Sequence, residues 1–96
     1  MSEGKQFRNE QLRKAKFHEC GLAQAEFKGA DLSESKFIDV GLRGAILSDV
    51  NLQDAKLTNV NLANVTIDDA NISGLTISGW NITDLINEAR KRKQSN

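Results

Sequence analysis

The sequence predicts an all-β solenoid, a chain wound into coils that turn a corner every five residues, and two observations carry the prediction. An aliphatic or aromatic side chain stands at every fifth position: Phe7, Leu12, Phe17, Leu22, Phe27, Leu32, Phe37, Leu42, Leu47, Leu52, Leu57, Leu62, Ile67, Ile72, Ile77 and Ile82. These are the centres of sixteen five-residue units with no insertion between them. Two residues before the centre sits a second, usually smaller side chain: Ala15, Cys20, Ala25, Ala30, Ser35, Val40, Ala45, Val50, Ala55, Val60, Val65, Ala70, Leu75 and Trp80. A helix would scatter such a row, since five steps of about 100° advance by about 140°, and a flat strand would send successive members to opposite faces. A corner in every unit turns each centre toward one axis, and two inward positions per unit make the core continuous.

The remaining positions agree with this geometry. The residue before the centre is often Asp or Asn, as in "ADL", "VNL" and "ANI", and the fifth is often Gly, Asn or Asp, which tolerate turn conformations. In these residues the chain resembles the pentapeptide-repeat family, whose unit reads A(D/N)LXX, and the resemblance spans residues 5–84. It implies a right-handed quadrilateral β-helix with four units to a coil, hence four coils here. Positions twenty apart should then stack at about 4.7–4.9 Å. One expected ladder is Phe17, Phe37, Leu57 and Ile77; a second, on the opposite wall, is Phe7, Phe27, Leu47 and Ile67.

Three segments follow along the chain. Residues 1–4 are a polar lead. Residues 5–84 are the repeat region, beginning with a coil in which Lys5 and Glu10 fall on inward positions, so that this coil is expected to be imperfectly closed. Nothing resembling a cap precedes it, and Phe7, Leu12 and Phe17 near its rim are the residues through which two copies would pair head to head as a homodimer. After Ile82 the rhythm stops, and residues 85–96 read as a capping helix and basic tail. Thr83 or Asp84 is the expected N-cap, Leu85, Ile86 and Ala89 share one helical face, and Arg90 to Lys93 suit the negative end of the helix dipole. Trp80 fills the small-residue slot of the last coil and is expected to lie under that helix as a lid.

Thirteen Lys/Arg balance thirteen Asp/Glu, for a formal net charge of zero. The balance is uneven in space. Lys16, Lys36 and Lys56 should stack on one outer face, flanked by Glu19 and Asp39, while Asp49, Asp68 and Asp69 collect at another corner. Ile38 and Ile46 are outward and apolar, and with the three lysines they are the candidate surface contacts. The tail's "ARKRK" reads as a solvated helix end, and nucleic-acid binding is not expected.

Chemistry finds few candidates. His18 and Cys20 are the only nucleophile and base near each other, and they occupy an outward and an inward slot of one corner, so Cys20 reads as core and His18 as surface. Metal ligands lack the number and spacing of a site, no glycine loop cradles a phosphate, and no cofactor is expected. A single cysteine excludes an internal disulfide framework, and no apolar run reaches the length of a signal or membrane segment, which makes a cytoplasmic location the expectation.

The reading is therefore of a non-enzymatic module for protein–protein contact or self-assembly, with its protein partner unidentified. The resemblance implies an alternative: some pentapeptide-repeat proteins mimic a DNA rod and bind type II topoisomerases such as gyrase. Zero net charge and a coil stack of only about 19 Å fit that alternative poorly. A head-to-head dimer would reach about 38 Å, near the ~34 Å of one duplex turn.

Overall fold

A computed structural model of the chain describes residues 5–94, so the 1–4 lead lies outside the described residues. Eight short strands alternate between two parallel sheets. β1 (Gln6–Arg8), β3 (Glu26–Lys28), β5 (Ile46–Ser48) and β7 (Thr66–Asp68) form one, and β2 (Lys16–His18), β4 (Lys36–Ile38), β6 (Lys56–Thr58) and β8 (Thr76–Ile77) form the other. The register steps by twenty residues throughout: Phe7↔Phe27↔Leu47↔Ile67 and Phe17↔Phe37↔Leu57↔Ile77. Single parallel bridges, Gln11↔Asp31↔Asn51↔Asn71 and Gly21↔Gly41↔Asn61, make the two remaining walls. The molecule is thus a four-sided β-solenoid of about four turns, as the five-residue period requires.

Local chemistry explains the corners. In alternate units the N–H of the residue after the corner donates to the carbonyl of the centre, as from Ala15 to Leu12 at 3.0 Å and from Ala45 to Leu42 at 2.9 Å. The third residue of each such turn has positive φ (Lys14 64°, Glu34 59°, Gly44 72°), which a type II turn demands. The preference for Asp or Asn before the centre has a visible cause on one pair of walls. Asp31, Asn51, Asn61 and Asn71 each accept, through Oδ1, the backbone N–H two residues on at 3.0 Å. Glycine enters where the neighbouring coil leaves no space. A Cβ on Gly29, whose φ is 66°, would stand 2.5 Å from Oδ1 of Asn9 in the coil before it.

The coils are joined by hydrogen bonds such as Leu12 N–H to the Asp31 carbonyl (2.8 Å) and Glu26 N–H to the Lys5 carbonyl (2.8 Å). Inside, Phe7 stacks on Phe27 with centroids 4.5 Å apart, and Phe17 on Phe37 at 4.6 Å. Rings on opposite walls meet edge to face at 6.3–6.5 Å, the arrangement favoured by the aromatic quadrupole. Packing is tightest in the middle: Phe27, Leu32, Phe37, Leu42 and Leu52 are at most 1% exposed, whereas Phe7, Leu12 and Phe17 of the first coil and the centres of the fourth are half-buried.

The C-terminal end departs from expectation. Ser78 and Gly79 both adopt positive φ (51° and 81°), the signature of a type I′ hairpin, and the chain reverses. β9 (Trp80–Asn81) then pairs antiparallel with β8, setting Trp80 opposite Ile77. The sixteenth unit, centred on Ile82, therefore leaves the solenoid, and Ile82 begins α1 (Ile82–Gln94), three residues before the expected start. Asn81, not Thr83 or Asp84, caps that helix: its Oδ1 accepts the Asp84 N–H at 3.0 Å. Trp80 is 63% exposed rather than sitting under α1 as a lid. The equivalent slot in earlier coils holds Cys20, Val40 and Val60, and an indole is too large for it; the reversal carries the ring outside.

Candidate functional site

The walls place the outward side chains in rows. Lys16, Lys36 and Lys56 are in register on adjacent strands of one sheet, all exposed, and among the described residues none of them forms an ion pair. The flanking acids are already engaged. Glu19 lies 3.9 Å from Nδ1 of His18, and Asp39 accepts a hydrogen bond from the Asn59 amide in the next coil. Asp49 and Asp69, with Asp31, line a shallow groove floored by Gly29, while Asp68 sits beside them on β7. Asp31 is held below the ordinary carboxylate range chiefly by the hydrogen bonds it accepts from Ser33, from the hydroxyl at 2.8 Å and the backbone N–H at 3.0 Å. Glu34 is held low by the Arg13 guanidinium, 2.9 Å away and solvent-exposed.

Other candidates do not assemble. Ile38 lies on β4 and Ile46 on β5, strands of different sheets, so they do not form one apolar patch; Ile46 is 43% exposed and Ile38 half-buried. The Cys20 thiol donates to the His18 backbone carbonyl at 3.1 Å, so the two residues meet through the main chain rather than as nucleophile and base. No cluster of three His, Cys, Asp or Glu able to hold a metal occurs among the described residues. Among those residues, too, no helix is long and apolar enough to cross a membrane.

Apart from Ile46, the large exposed apolar side chains among the described residues lie at the C-terminal end, and the N-terminal rim is only half sealed. At the N-terminal rim Phe7, Leu12 and Phe17 are half-buried, while Phe27 and Phe37, the same residue one coil further in, are 0% and 1% exposed. At the other end the expected cap covers the core only in part: Ile82 and Ile86 line the coil end, while Leu85 (44%), Ile86 (37%) and Ala89 remain exposed. Sequence reasoning passed over the consequence, an apolar cavity of about 220 Å³ among Ile67, Ile72, Leu75, Ile77, Ile82 and Ile86. Its signal was present, since centres at both open ends must lack one stacking neighbour.

The twenty-residue register and the filled inward positions find a counterpart among known families: the model for the pentapeptide repeat region matches residues 6–85. The chain belongs to the pentapeptide-repeat family. Among solved structures, this pentapeptide-repeat protein is similar to one (Rfr23) from the cyanobacterium Cyanothece 51142, at 18% identity, over 78% of this chain and 82% of that one, with a TM-score of 0.33. A comparison with curated proteins finds no match. In family terms, the walls are the outward positions of the repeat and the two ends are where the repeat stops.

Proposed function

We propose that this pentapeptide-repeat protein is a non-enzymatic interaction module that associates with itself through its N-terminal coil and offers flat walls to a protein partner. The observation that carries the proposal is the contrast within one ladder: Phe7 and Phe17 are half-buried at the rim, and Phe27 and Phe37 are sealed one coil in. A two-fold axis across the rim sets antiparallel edges together, so Phe7 meets Phe7 and Phe17 meets Phe17 of the second copy, continuing both stacks. The same pairing satisfies the strand edges that β1 and β2 leave open on that side among the described residues. The lysine row at 16, 36 and 56 supports a contact with an acidic partner surface, whose binding would weaken with salt.

Mimicry of a DNA rod toward a topoisomerase such as gyrase is the weaker reading. Acid is concentrated around one wall, at Asp31, Glu34, Asp49, Asp54 and Asp69, but the adjoining wall presents the unpaired lysines. Solution mass measured across a concentration series, on the intact chain and on Phe7→Asp, tests the N-terminal contact. Loss of association in the variant, with its circular dichroism unchanged, is the expected result; association that persists unaltered would remove the rim from the proposal.

A further inference from the structure

The two strand walls carry their charges differently. On the first sheet one outward row begins with Arg8 and Lys28 and ends on Asp68, and Arg8 reaches Glu26 at 3.6 Å. On the second, Lys16, Lys36 and Lys56 stand in register on β2, β4 and β6, all exposed. Among the described residues no other outward row of either sheet repeats one charge three times. Neighbouring strands lie about 4.8 Å apart, inside the ~8 Å screening length at physiological salt, so the three ammonium groups repel one another and the ladder alone holds them together. Nearby carboxylates are turned to other partners. Glu34 is bonded to Arg13 at 2.9 Å, Asp39 accepts from Asn59, Glu19 lies 3.9 Å from Nδ1 of His18, and Asp54 is folded over Gly74, where a Cβ would meet its Oδ1.

Width and pitch indicate the occupant. A three-residue strand makes a wall about 10 Å wide, and exposed acids stand at both of its corners, Glu34 and Asp54 before the lysine row, Glu19 and Asp39 after it. A broad polyanion, whether a nucleic-acid duplex or an anionic lipid surface, would press its phosphates on those corners as well as on the lysines. An α-helix, about 10–12 Å across, fits between them. Carboxylates at i, i+3 or i+4, and i+7 of a helix recur about every 5.3 Å, close to the lysine step, whereas an extended strand presents same-face side chains about every 6.6 Å and is out of step by the third charge. Ile38, half-buried beside Lys36 on β4, offers the helix an apolar contact between its charges. The chain's own α1 does not supply such a stripe, since Asp84 and Glu88 are followed by Arg90, Lys91 and Arg92.

We propose that the wall of β2, β4 and β6 is a docking site for an acidic α-helix of a partner protein, laid along the rod axis with a stripe of three carboxylates against Lys16, Lys36 and Lys56. This rests on the reading of the walls as partner surfaces and names the chemistry of that partner. It does not depend on the N-terminal rim, because the row runs up the side of the rod: Phe7→Asp should lose self-association and keep the helix.

Fluorescence anisotropy at low salt tests it with three labelled peptides of one composition and about 20 residues, long enough for an alanine-rich helix to form. The first carries glutamates at i, i+4 and i+7, the second scatters them around the helix, and the third holds the stripe in a sequence kept extended by proline. The full chain is compared with Lys16→Gln/Lys36→Gln/Lys56→Gln and with Lys5→Gln/Lys28→Gln/Arg43→Gln, which removes the same charge away from the wall. All six side chains are exposed, so both variants should fold, as circular dichroism verifies. The striped helix should bind tightest and weaken as salt is added. It should lose about tenfold in affinity to the first variant and no more than about twofold to the second. Equal binding of the striped and scattered helices, or equal losses in the two variants, overturns the inference. If the extended peptide binds the lysine row as tightly as the striped helix, the helix falls while the wall stands as a partner surface; if no peptide binds, both fall.

Discussion

Ser35 occupies an inward slot whose neighbours above and below are Ala15 and Ala55, and its hydroxyl is buried with no hydrogen-bond partner among the described residues. Such an orphan costs about 1–3 kcal/mol, so Ser35→Ala should raise stability by something approaching that amount. Thermal unfolding reads it as a midpoint higher by about 4–8 °C for each kcal/mol gained. Asp31 makes the opposite kind of contribution. Its carboxylate is favoured in the folded state by Ser33 and, less strongly, by Arg13, so its folded pKa lies below its unfolded one. The resulting stability is present above the unfolded value and is lost as pH falls through the lowered folded value. Asn51 shows that an amide holds the same turn, through its Oδ1 and the Gln53 N–H. Asp31→Asn should therefore fold normally, lie below the parent in urea midpoint at neutral pH, and converge with it as the pH falls through the lowered folded value of Asp31. Parallel curves at all pH values would mean that the carboxylate adds nothing to the turn.

Each five-residue unit is too small to bury its own centre, so its conformation depends on the coil above and the coil below. Leu52, 1% exposed, points at the axis, and Lys56, four residues on, is exposed on an adjoining wall. Leu52→Lys buries an unpaired charge and should abolish cooperative unfolding, whereas Lys56→Glu should change stability by no more than about 0.5 kcal/mol. Equal losses in urea titrations would contradict the register. Units of this kind were readable from sequence because every position has one job: centre, small neighbour, turn acceptor, corner. The C-terminal end was not, and a repeated dipeptide shows why. Ser73–Gly74 and Ser78–Gly79 are five residues apart and identical, yet only Gly74 of the first pair has positive φ, while both members of the second do. The difference lies in Trp80, which the inward corner cannot take, and in the loss of a following coil to hold the chain in register. The rim residues Phe7, Leu12 and Phe17 were legible as an end because only stacking position was needed. The surface around Ile86 was not, because the direction of α1 is set by a hairpin that the five-residue rhythm concealed.

Because the register advances by one full circuit every twenty residues, the rod has a natural unit of length, and deletions of different size should act very differently. Removing Ala25–Gly44 excises one coil: Phe7 then lies over Leu47 and Phe17 over Leu57, and each type II corner still meets a type II corner. A three-coil rod should result. It should unfold cooperatively, with lower stability and a urea m-value smaller by about a quarter, in proportion to the surface buried. Removing only Gly41–Ala45 rotates everything beyond it by one wall. Strand walls then oppose bridge walls, bends oppose hydrogen-bonded turns, and the N–H to carbonyl ladder linking Leu22 to Gly41 and Gln24 to Arg43 loses its partners. The smaller deletion should be the more damaging, leaving a chain with no cooperative transition. If instead stability declined simply with the number of residues removed, the coils would be behaving as independent five-residue modules, and the twenty-residue stacking that seals Phe27 and Phe37 would not be what holds the molecule together.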